Sequence, residues 1–358
     1  MLLSNLLYNA LLAVVVAAVL FHLRNNRTAL WFVALGVPLA AAAIVAAAVV
    51  GMGIERSNFA SMRLLCFGVF VHAPIYAAIG CLLLRRTSRG GAVLAALAAV
   101  AIVAIGIDAF FVEPQWLEVT HYEIRSDKVA KPLRIVVLAD IQTDDVGEYE
   151  RDVLRRVVEA DADLILFAGD YLQVKSTAEW KEQREKLRTL LREAKLATPL
   201  GAFAVEGNVD YREWPRIFDE TGVVATVETG TVELAAGSIR LTCLSEPASG
   251  AADGADRLES PGGAFRICMG HRPDFALGEP QADLLIAGHT HGGQVQLPVV
   301  GPLVTLSRVR RSWASGLTEI RSGQHLFVSR GIGMERSDAP RLRFLCRPEL
   351  AIIEVVPR

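Results

Sequence analysis

Long apolar stretches without charge occupy the first third of the chain. Four of them lack Lys, Arg, Asp and Glu, and they cover residues 1–23, 28–54, 64–84 and 90–107. A helix of about 20 apolar residues crosses the hydrocarbon core of a bilayer, and each stretch approaches or exceeds that length. The pattern therefore predicts a membrane domain over 1–112 with four transmembrane helices. These helices are expected near 3–22, 30–51, 64–84 and 91–112.

Two other interpretations of these stretches are weaker. A cleaved signal peptide needs a positive N-terminal region, but residues 1–5 contain no basic side chain and no clear cleavage site follows. Fully buried helices of a soluble protein are the alternative for the later stretches. The length of these alanine-rich runs disfavours it.

Arginines in the short loops predict how the four helices are oriented. Loops on the cytoplasmic side of a membrane carry an excess of Lys and Arg. The loops after the first and third predicted helices hold five arginines, and the loop after the second holds two. We therefore expect an integral protein of a bacterial inner or plasma membrane with both termini outside the cytoplasm. Its second half would be periplasmic or extracellular.

The second half of the chain alternates between short apolar runs and charged amphipathic segments. Near-continuous apolar runs at 133–141, 163–168 and 202–205 are typical of strands buried on both faces. The segments 147–160 and 178–195 between them are predicted helices. This order indicates an α/β sheet with right-handed crossovers. Further strands are predicted at 231–235, 238–244, 264–269, 283–287, 294–297, 314–320, 324–329 and 349–356.

Charge and composition support a division near residue 112. The protein has 358 residues, 52% of them hydrophobic, and a net charge of −2 that hides an asymmetry. Residues 1–112 contain seven Arg and two acidic residues, whereas 113–358 contain 30 basic and 37 acidic residues. The composition excludes a disordered chain, a collagen and a cysteine scaffold. The acidic second half argues against a nucleic-acid partner.

Polar side chains follow the ends of five predicted strands. In α/β sheets, ligands bind at the carboxyl ends of the strands. One such His or Asp is weak evidence, whereas an ordered set at five successive ends indicates a metal site. The set consists of Asp140 and Gln142, Gly169-Asp170, Gly207-Asn208-Val209-Asp210, Gly270-His271, and Gly288-His289-Thr290-His291.

This ordered set resembles the motifs of the calcineurin-like metallophosphoesterase family. The family pattern is Asp-x-His, Gly-Asp, Gly-Asn-His-Asp/Glu, a single His and then Gly-His-x-His. Segments 288–294, 329–333, 342–344 and 347–350 are similar to its membrane-associated YkuE/YaeI-type branch of phosphodiesterases. The resemblance covers about 133–356. It implies a phosphoesterase domain over 133–358, after a linker at 113–132, with an α/β/β/α sandwich of two mixed sheets.

The resemblance also implies two divalent metal ions and a role for each motif residue. Carboxylate and imidazole donors suit Mn, Fe or Zn, and a harder oxygen set would favour Mg. Two such ions bind phosphate oxygens and activate a water. Asp170 would bridge the ions. Asp140 and His291, with Gln142 beside them, would hold one ion, and Asn208, His271 and His289 would hold the other. Asp140, Asp170, Asn208 and His289 would form the catalytic set.

The chain departs from the family pattern at two positions. Gln142 replaces a His and offers at most an amide oxygen, so one site should bind its metal more weakly. Asp144 or Asp145 is a candidate replacement ligand, although a solvated turn explains both equally well. Val209 replaces the His that stabilises the transition state or protonates the leaving oxygen. Asp210, which would orient that His, then loses this role.

The sequence therefore favours a membrane-tethered, metal-dependent phosphoric ester hydrolase. Its substrate would be a phosphorylated small molecule or lipid with a phosphodiester or pyrophosphate bond. One alternative is a degenerate domain that binds metal or a phosphorylated ligand without turnover. A transporter or sensor regulated by the second half is another, although the spans lack paired charges. The cysteines are expected to be buried thiols, with a Cys243–Cys346 disulfide as an open alternative outside the cytoplasm.

Overall fold

The computed structural model of the protein divides into two compact units. It describes residues 2–24, 44, 58–255, 262–302 and 304–358. The first unit comprises Met1–Phe110 with Ser337–Arg341, and the second comprises Phe111–Arg336 with Leu342–Arg358. The phosphoesterase-like motifs all belong to the second unit.

The described residues before 111 in the first unit form mainly apolar helices. Their bounds are α1 Leu2–Arg24, α2 Asn58–Phe67, α3 Ala73–Leu84 and α4 Arg89–Ile107. A π-helical turn, Gly68–His72, joins α2 to α3, and a second one, Asp108–Val112, extends α4. Ser88 begins α4 by accepting a hydrogen bond from the Gly91 amide through its side chain.

Two of the four predicted spans are long apolar helices in the described part of the chain. Met62–Leu84 and Arg89–Gln115 are each long and apolar enough to cross a bilayer. The first predicted span lies in α1, whose apolar portion, Ser4–Ala18, is shorter. The second predicted span, 30–51, lies almost wholly outside the described residues. The arrangement with four spans therefore stays a prediction.

The second unit is built on two mixed six-stranded sheets. The strands of the first sheet are β1 Glu118–Ser126, β2 Leu133–Leu138, β3 Leu164–Phe167, β4 Ala202–Val205, β5 Val223–Thr226 and β14 Glu349–Pro357. Those of the second are β6 Gly230–Leu234, β7 Ile239–Cys243, β8 Phe265–Met269, β9 Leu284–Ala287, β12 Gly316–Arg321 and β13 Gln324–Val328. A separate hairpin pairs β10 Gln296–Leu297 with β11 Gly301–Pro302.

Each sheet combines four parallel strands with two others. The first sheet has the order β1-β14-β2-β3-β4-β5, and the second has the order β12-β13-β9-β8-β7-β6. Strands β2, β3, β4 and β5 are mutually parallel, as are β7, β8, β9 and β13.

Apolar side chains from both sheets form the core between them. Ile135 and Leu164 of the first sheet belong to the same buried cluster as Leu241, Ile267 and Leu284 of the second. Each fully buried side chain of this size contributes about 1.5–3 kcal/mol. The continuous apolar runs in the sequence exist because these strands are covered on both faces.

Helices cover the outer face of the first sheet. The helices α5 Glu148–Glu159 and α6 Thr177–Ala194 pack there through Val153, Leu187 and Leu191. The described residues outside the second sheet form only short pieces: the four-residue helix α7 Glu246–Ser249 and the 3-10 turns Pro273–Leu277 and Arg311–Trp313. The mixed sheets of the predicted sandwich are confirmed, but its second helical layer is minimal.

The structure differs from the sequence analysis at β1. Residues 118–126 were expected to belong to a linker, but they form β1 at the edge of the first sheet, parallel to β14. Only Ile124 of this strand is fully buried. An edge strand with charged residues on its open side lacks the apolar run that indicates a buried strand, so its pattern resembles that of a linker. The short strand β5 is a second element that the sequence analysis missed.

Candidate metal centre

The predicted ligands lie where the parallel strands of both sheets end. Asp140 and Gln142 follow β2, Asp170 follows β3 and Asn208 follows β4, whereas the three histidines follow β8 and β9. The backbone turns sharply here, with φ of 50° at Asp140, 56° at Asp170 and 70° at His289. Non-glycine residues with positive φ store strain of about 1–3 kcal/mol each and concentrate at functional sites.

Asp140, Asp170 and His271 form the centre of this site. Their ligand atoms all lie within 4.8 Å of one another, and all three side chains are buried. His271 Nε2 is 3.2 Å from Asp170 Oδ2 and 3.0 Å from Asn208 Oδ1. Two carboxylates and an imidazole at this spacing form a donor set that suits a divalent transition metal.

Backbone carbonyls orient two of the histidines, each through one ring nitrogen. His271 Nδ1 donates to the Ala168 carbonyl at 2.8 Å, so Nε2 is the nitrogen that faces Asp170. His289 Nε2 lies 3.2 Å from the Leu306 carbonyl, which leaves Nδ1 as the nitrogen available to a cation. A metal-binding imidazole is commonly held in this way through its other ring nitrogen.

Two buried polar atoms in this region lack a protein partner. Gln142 Oε1 and His291 Nδ1 accept no hydrogen bond within the described residues. His291 Nε2 is 3.8 Å from Asp140 Oδ1, beyond hydrogen-bond distance. Because buried polar atoms are rarely left unsatisfied, these atoms fit a site that a cation completes.

Glycines allow the loops to approach the carboxylates closely. A Cβ on Gly207 would lie 2.1 Å from Asp170 Oδ1, and one on Gly288 would lie 2.6 Å from Asp140 Oδ2. The close approach also brings amides to the carboxylates, since the His289 N–H donates to Asp140 and the Val209 N–H donates to Asp170. These glycines therefore have a geometric reason to be there.

Burial and mutual charge shift the pKa values of the cluster. Burial raises the pKa of Asp140 to about 7, and the Asp170 carboxylate acts in the same direction. Burial opposes protonation of His271, but the charge of Asp170 prevails and raises the pKa of His271 to about 9. Burial and the neighbouring His271 lower the pKa of His289 to about 4. At neutral pH the metal-free cluster therefore holds a proton on His271, which a bound cation would displace.

Neither of the proposed replacement ligands is at this site. Asp144 forms an ion pair with Arg336 at 3.6 Å, and Asp145 is largely exposed in the turn before α5. The sequence could not distinguish them from ligands, because both lie only a few residues beyond Asp140 in a polar segment.

Asp210 has a structural role that the sequence analysis missed. Its carboxylate accepts backbone N–H groups of Asp170 and Tyr171 at 3.0 and 2.8 Å, and of Gly207 at 2.8 Å. It thereby joins the loops after β3 and β4, which carry Asp170 and Asn208. With Val209 in the neighbouring position, Asp210 orients backbone rather than an imidazole.

Arg343 is a further residue whose role only the structure shows. Its fully buried guanidinium donates to the carbonyls of Gly331, Gly333 and Cys346, among others. That loop lies against the site, because the Gly333 amide donates to the Asp140 carbonyl at 2.7 Å. Five rigid donors on one guanidinium suit this arrangement of carbonyls. The segments 329–333 and 342–344 thus brace the end of β2.

A family comparison accounts for this arrangement. Residues 133–293 match the family of calcineurin-like phosphoesterases. The chain is 31% identical over 265 residues to the uncharacterized metallophosphoesterase YkuE of Bacillus subtilis, covering 68% of this chain and 87% of YkuE. The chain belongs to the calcineurin-like phosphoesterase family.

A second relative agrees with the predicted branch of the family. The phosphodiesterase YaeI of Escherichia coli is 27% identical over 279 residues, covering 69% of this chain and 91% of YaeI. The predicted resemblance to YkuE and YaeI is confirmed. This calcineurin-like phosphoesterase is a metal-dependent phosphoric ester hydrolase, and its family binds divalent metals.

The cysteines of the phosphoesterase are free thiols. Cys243 is buried between the sheets, whereas the Cys346 thiol donates to the His291 carbonyl at 3.3 Å. The alternative of a Cys243–Cys346 disulfide is therefore wrong for this structure. The two side chains are held in different environments, one in the core of the sandwich and one beneath the metal-site loop.

Proposed function

We propose that the protein is a membrane-tethered phosphoesterase that cleaves a phosphodiester or pyrophosphate bond in a lipid-linked substrate. The observation that supports the chemistry is the buried group of Asp140, Asp170 and His271. The observation that supports the lipid is a band of exposed apolar side chains beside it. Both observations come from residues of the second unit.

The residues of the proposed centre would hold two divalent ions. Asp170 would serve both, Asp140, Gln142 and His291 would hold one, and Asn208, His271 and His289 would hold the other. When bound, the ions supply Lewis-acid activation of phosphate oxygens and of a water. The chain itself holds the ligands in place, through backbone amides on the carboxylates and carbonyls on the imidazoles.

Val209, which stands where the family has a histidine, restricts the leaving groups that the site can serve. Val209 donates its backbone N–H to Asp170 Oδ1 at 3.0 Å, but its side chain has no proton to give. A general acid typically contributes about 10²–10⁴-fold to a rate. We therefore favour leaving groups that depart as stable anions, such as the phosphate of a pyrophosphate bond.

An apolar rim lies next to the metal-site loops. We define it as Leu297, Val299, Val300, Val304 and Leu306, all of them exposed. The segment 295–306 contains no charged residue, and Arg310 and Arg311 follow it on the surface. The rim connects to the site through the contact between the Leu306 carbonyl and His289. Exposed apolar side chains with nearby arginines suit the acyl and anionic parts of a lipid.

The rim is also linked to Glu113 and Trp116, two residues at the start of the second unit. Val295, beside β10, pairs with Phe344 in an isolated bridge. The adjoining Leu345 amide donates to the Glu113 carboxylate at 2.8 Å. Trp116, which follows the helix, is half exposed and stacks beneath Arg347 at 3.5 Å. Such a tryptophan is typical of the membrane interface, so Trp116 and the rim would both lie near the lipid headgroups.

The purified full-length protein in lipid nanodiscs tests the proposal. We expect chelator-sensitive turnover of bis-(p-nitrophenyl) phosphate, and more efficient turnover of a long-chain lipid pyrophosphate than of its short-chain analogue. Val299→Ser with Val300→Ser should reduce only the long-chain preference. The matched control is Val224→Ser with Val227→Ser, a pair of exposed valines outside the rim. Equal efficiency for both chain lengths would rule out the lipid substrate.

The orientation of the domain is proposed from the arginine distribution in the loops. A fluorescent protein that matures only in the cytoplasm, fused after Arg358, should remain dark if the phosphoesterase unit lies outside. A bright fusion would place the unit in the cytoplasm and overturn this part of the proposal.

A further inference from the structure

A partly buried network of two glutamines and a glutamate adjoins the candidate metal centre. Gln142 Nε2 donates to Glu335 Oε2 at 3.1 Å and to Gln173 Oε1 at 3.0 Å. Gln173 Nε2 donates to the other oxygen of Glu335 at 2.6 Å. The Arg336 amide donates to Gln173 Oε1 at 2.6 Å, which fixes the orientation of that glutamine. Every polar atom in this network has a partner except one.

The network allows only one orientation of the Gln142 amide. If that amide were turned over, Gln142 Oε1 would face Glu335 Oε2 and Gln173 Oε1, two acceptors with no proton to offer. In the observed orientation the Nε2 hydrogens satisfy both acceptors. Oε1 then points away from the network, and it is the one atom of the amide with no partner.

The unpartnered oxygen belongs to a residue in the same turn as Asp140. Gln142 is fully buried and lies two residues after Asp140. Its backbone N–H donates to the Asp170 carbonyl at 2.9 Å. The Arg336 side chain donates to the Gln142 carbonyl at 2.9 Å and holds this turn from the other side. A buried amide oxygen without a protein partner, in a turn bonded to the loops of Asp140 and Asp170, is a suitable ligand for a hard divalent cation.

We propose that Glu335 is a positioning residue, which holds the Gln142 amide so that Oε1 binds the divalent ion shared with Asp140 and Asp170. This inference rests on the proposed two-metal centre. With Gln142 as a ligand, the site of Asp140 and Asp170 gains an oxygen donor where the family pattern has a His nitrogen. Mn²⁺ or Mg²⁺ should therefore compete better against Zn²⁺ at this site than at the site of Asn208, His271 and His289.

A double-mutant cycle on Mn²⁺ affinity tests the proposal in the full-length protein. The probe is Mn²⁺ itself, titrated into metal-free protein in detergent by calorimetry and by the electron paramagnetic resonance signal of free Mn²⁺. We expect Glu335→Ala to weaken one of two binding events about 10–100-fold, the range observed when an outer-shell partner of a metal ligand is lost. In a Gln142→Leu background, Glu335→Ala should have little further effect.

A second variant tests whether Glu335 acts by orienting the Gln142 amide or through its own negative charge. Glu335→Gln removes the negative charge but retains one amide oxygen for Gln142 Nε2, so its loss of Mn²⁺ affinity should be smaller than that of Glu335→Ala. The unaffected binding event provides the control for folding in each variant. Additive effects in the cycle, or equal losses for Glu335→Gln and Glu335→Ala, would overturn the positioning role. A single binding event or none in the natural protein would instead overturn the two-metal centre.

Discussion

The two sheets contribute different chemistry to the same centre. Among the candidate ligands, those that follow strands of the first sheet offer oxygen atoms: Asp140, Gln142, Asp170 and Asn208. Those that follow strands of the second sheet offer nitrogen atoms: His271, His289 and His291. Both sets stand at the ends of parallel strands, so the difference lies in the side chains and not in the topology.

Backbone groups from each sheet also orient candidate ligand side chains of the other sheet. The amide of His289, from the second sheet, donates to Asp140 of the first at 2.9 Å. The carbonyl of Ala168, from the first sheet, accepts from His271 of the second at 2.8 Å. Each half of the site is therefore oriented by the other, which means that the centre forms only when the sheets pack together. Variants that change one half should reveal how far the other half depends on it.

Removing the shared carboxylate should have the largest effect. Asp170→Asn deletes the charge that faces His271 and the donor proposed to serve both ions. We expect phosphodiesterase activity to fall by more than about 100-fold, beyond the range seen for outer-shell partners, with loss of both metal-binding events. Activity assays and metal analysis measure these effects. The control is Asp283→Asn, at the end of β9 that lies away from the site. Loss of only one metal-binding event in Asp170→Asn would show that Asp170 does not serve both ions.

Restoring a proton donor beside the first sheet should have the next largest effect. Val209→His should accelerate substrates with basic leaving groups by up to about 10²-fold and change activated phenyl esters little. The measurement is a series of diesters graded by the pKa of the leaving group, compared between the natural protein and the variant. The natural protein should show the steeper decline. Parallel plots would contradict a missing general acid, and no turnover in either protein would favour a binding role.

Exchanging donor types between the sheets should change metal preference. Gln142→His adds a nitrogen to the oxygen-donating half and should strengthen Zn²⁺ relative to Mn²⁺ at the weaker site. His291→Gln is the reciprocal change and should weaken Zn²⁺ relative to Mn²⁺. Competition between the two metals in calorimetry gives both ratios. Shifts in the same direction for both variants would show that donor type does not set the preference.

Metal affinity should depend on pH. His271, whose pKa is raised to about 9, carries a proton at neutral pH that binding must displace, and Asp140 holds one below its pKa of about 7. Apparent affinity should therefore rise with pH, by about tenfold per unit for each proton released, and level off above pH 9. Calorimetry in buffers with different ionisation enthalpies counts the protons. Affinity that is constant between pH 6 and 9 would contradict these protonation states.

Sequence alone predicted the framework of the second unit well. Each predicted strand there coincides with an observed one to within three residues, because apolar runs such as 133–138 report strands covered on both faces. Edge strands carry a weaker signal, since β1 exposes charged residues on its open side. The order of polar residues at the strand ends also identified the family. Local patterns were sufficient for these features because they depend on neighbours in the chain.

Tertiary structure alone decided how the site is completed. Gln142 and Glu335 are 193 residues apart, so no local pattern indicates that one orients the other. Likewise, Asp144 and Asp145 had the composition of ligands, but the turn directs Asp144 to Arg336 and Asp145 to solvent. The roles of Asp210 and Arg343 arise from loops that only folding brings together. The sequence determined the chemistry of each side chain, whereas the packing of the two sheets determined its partner.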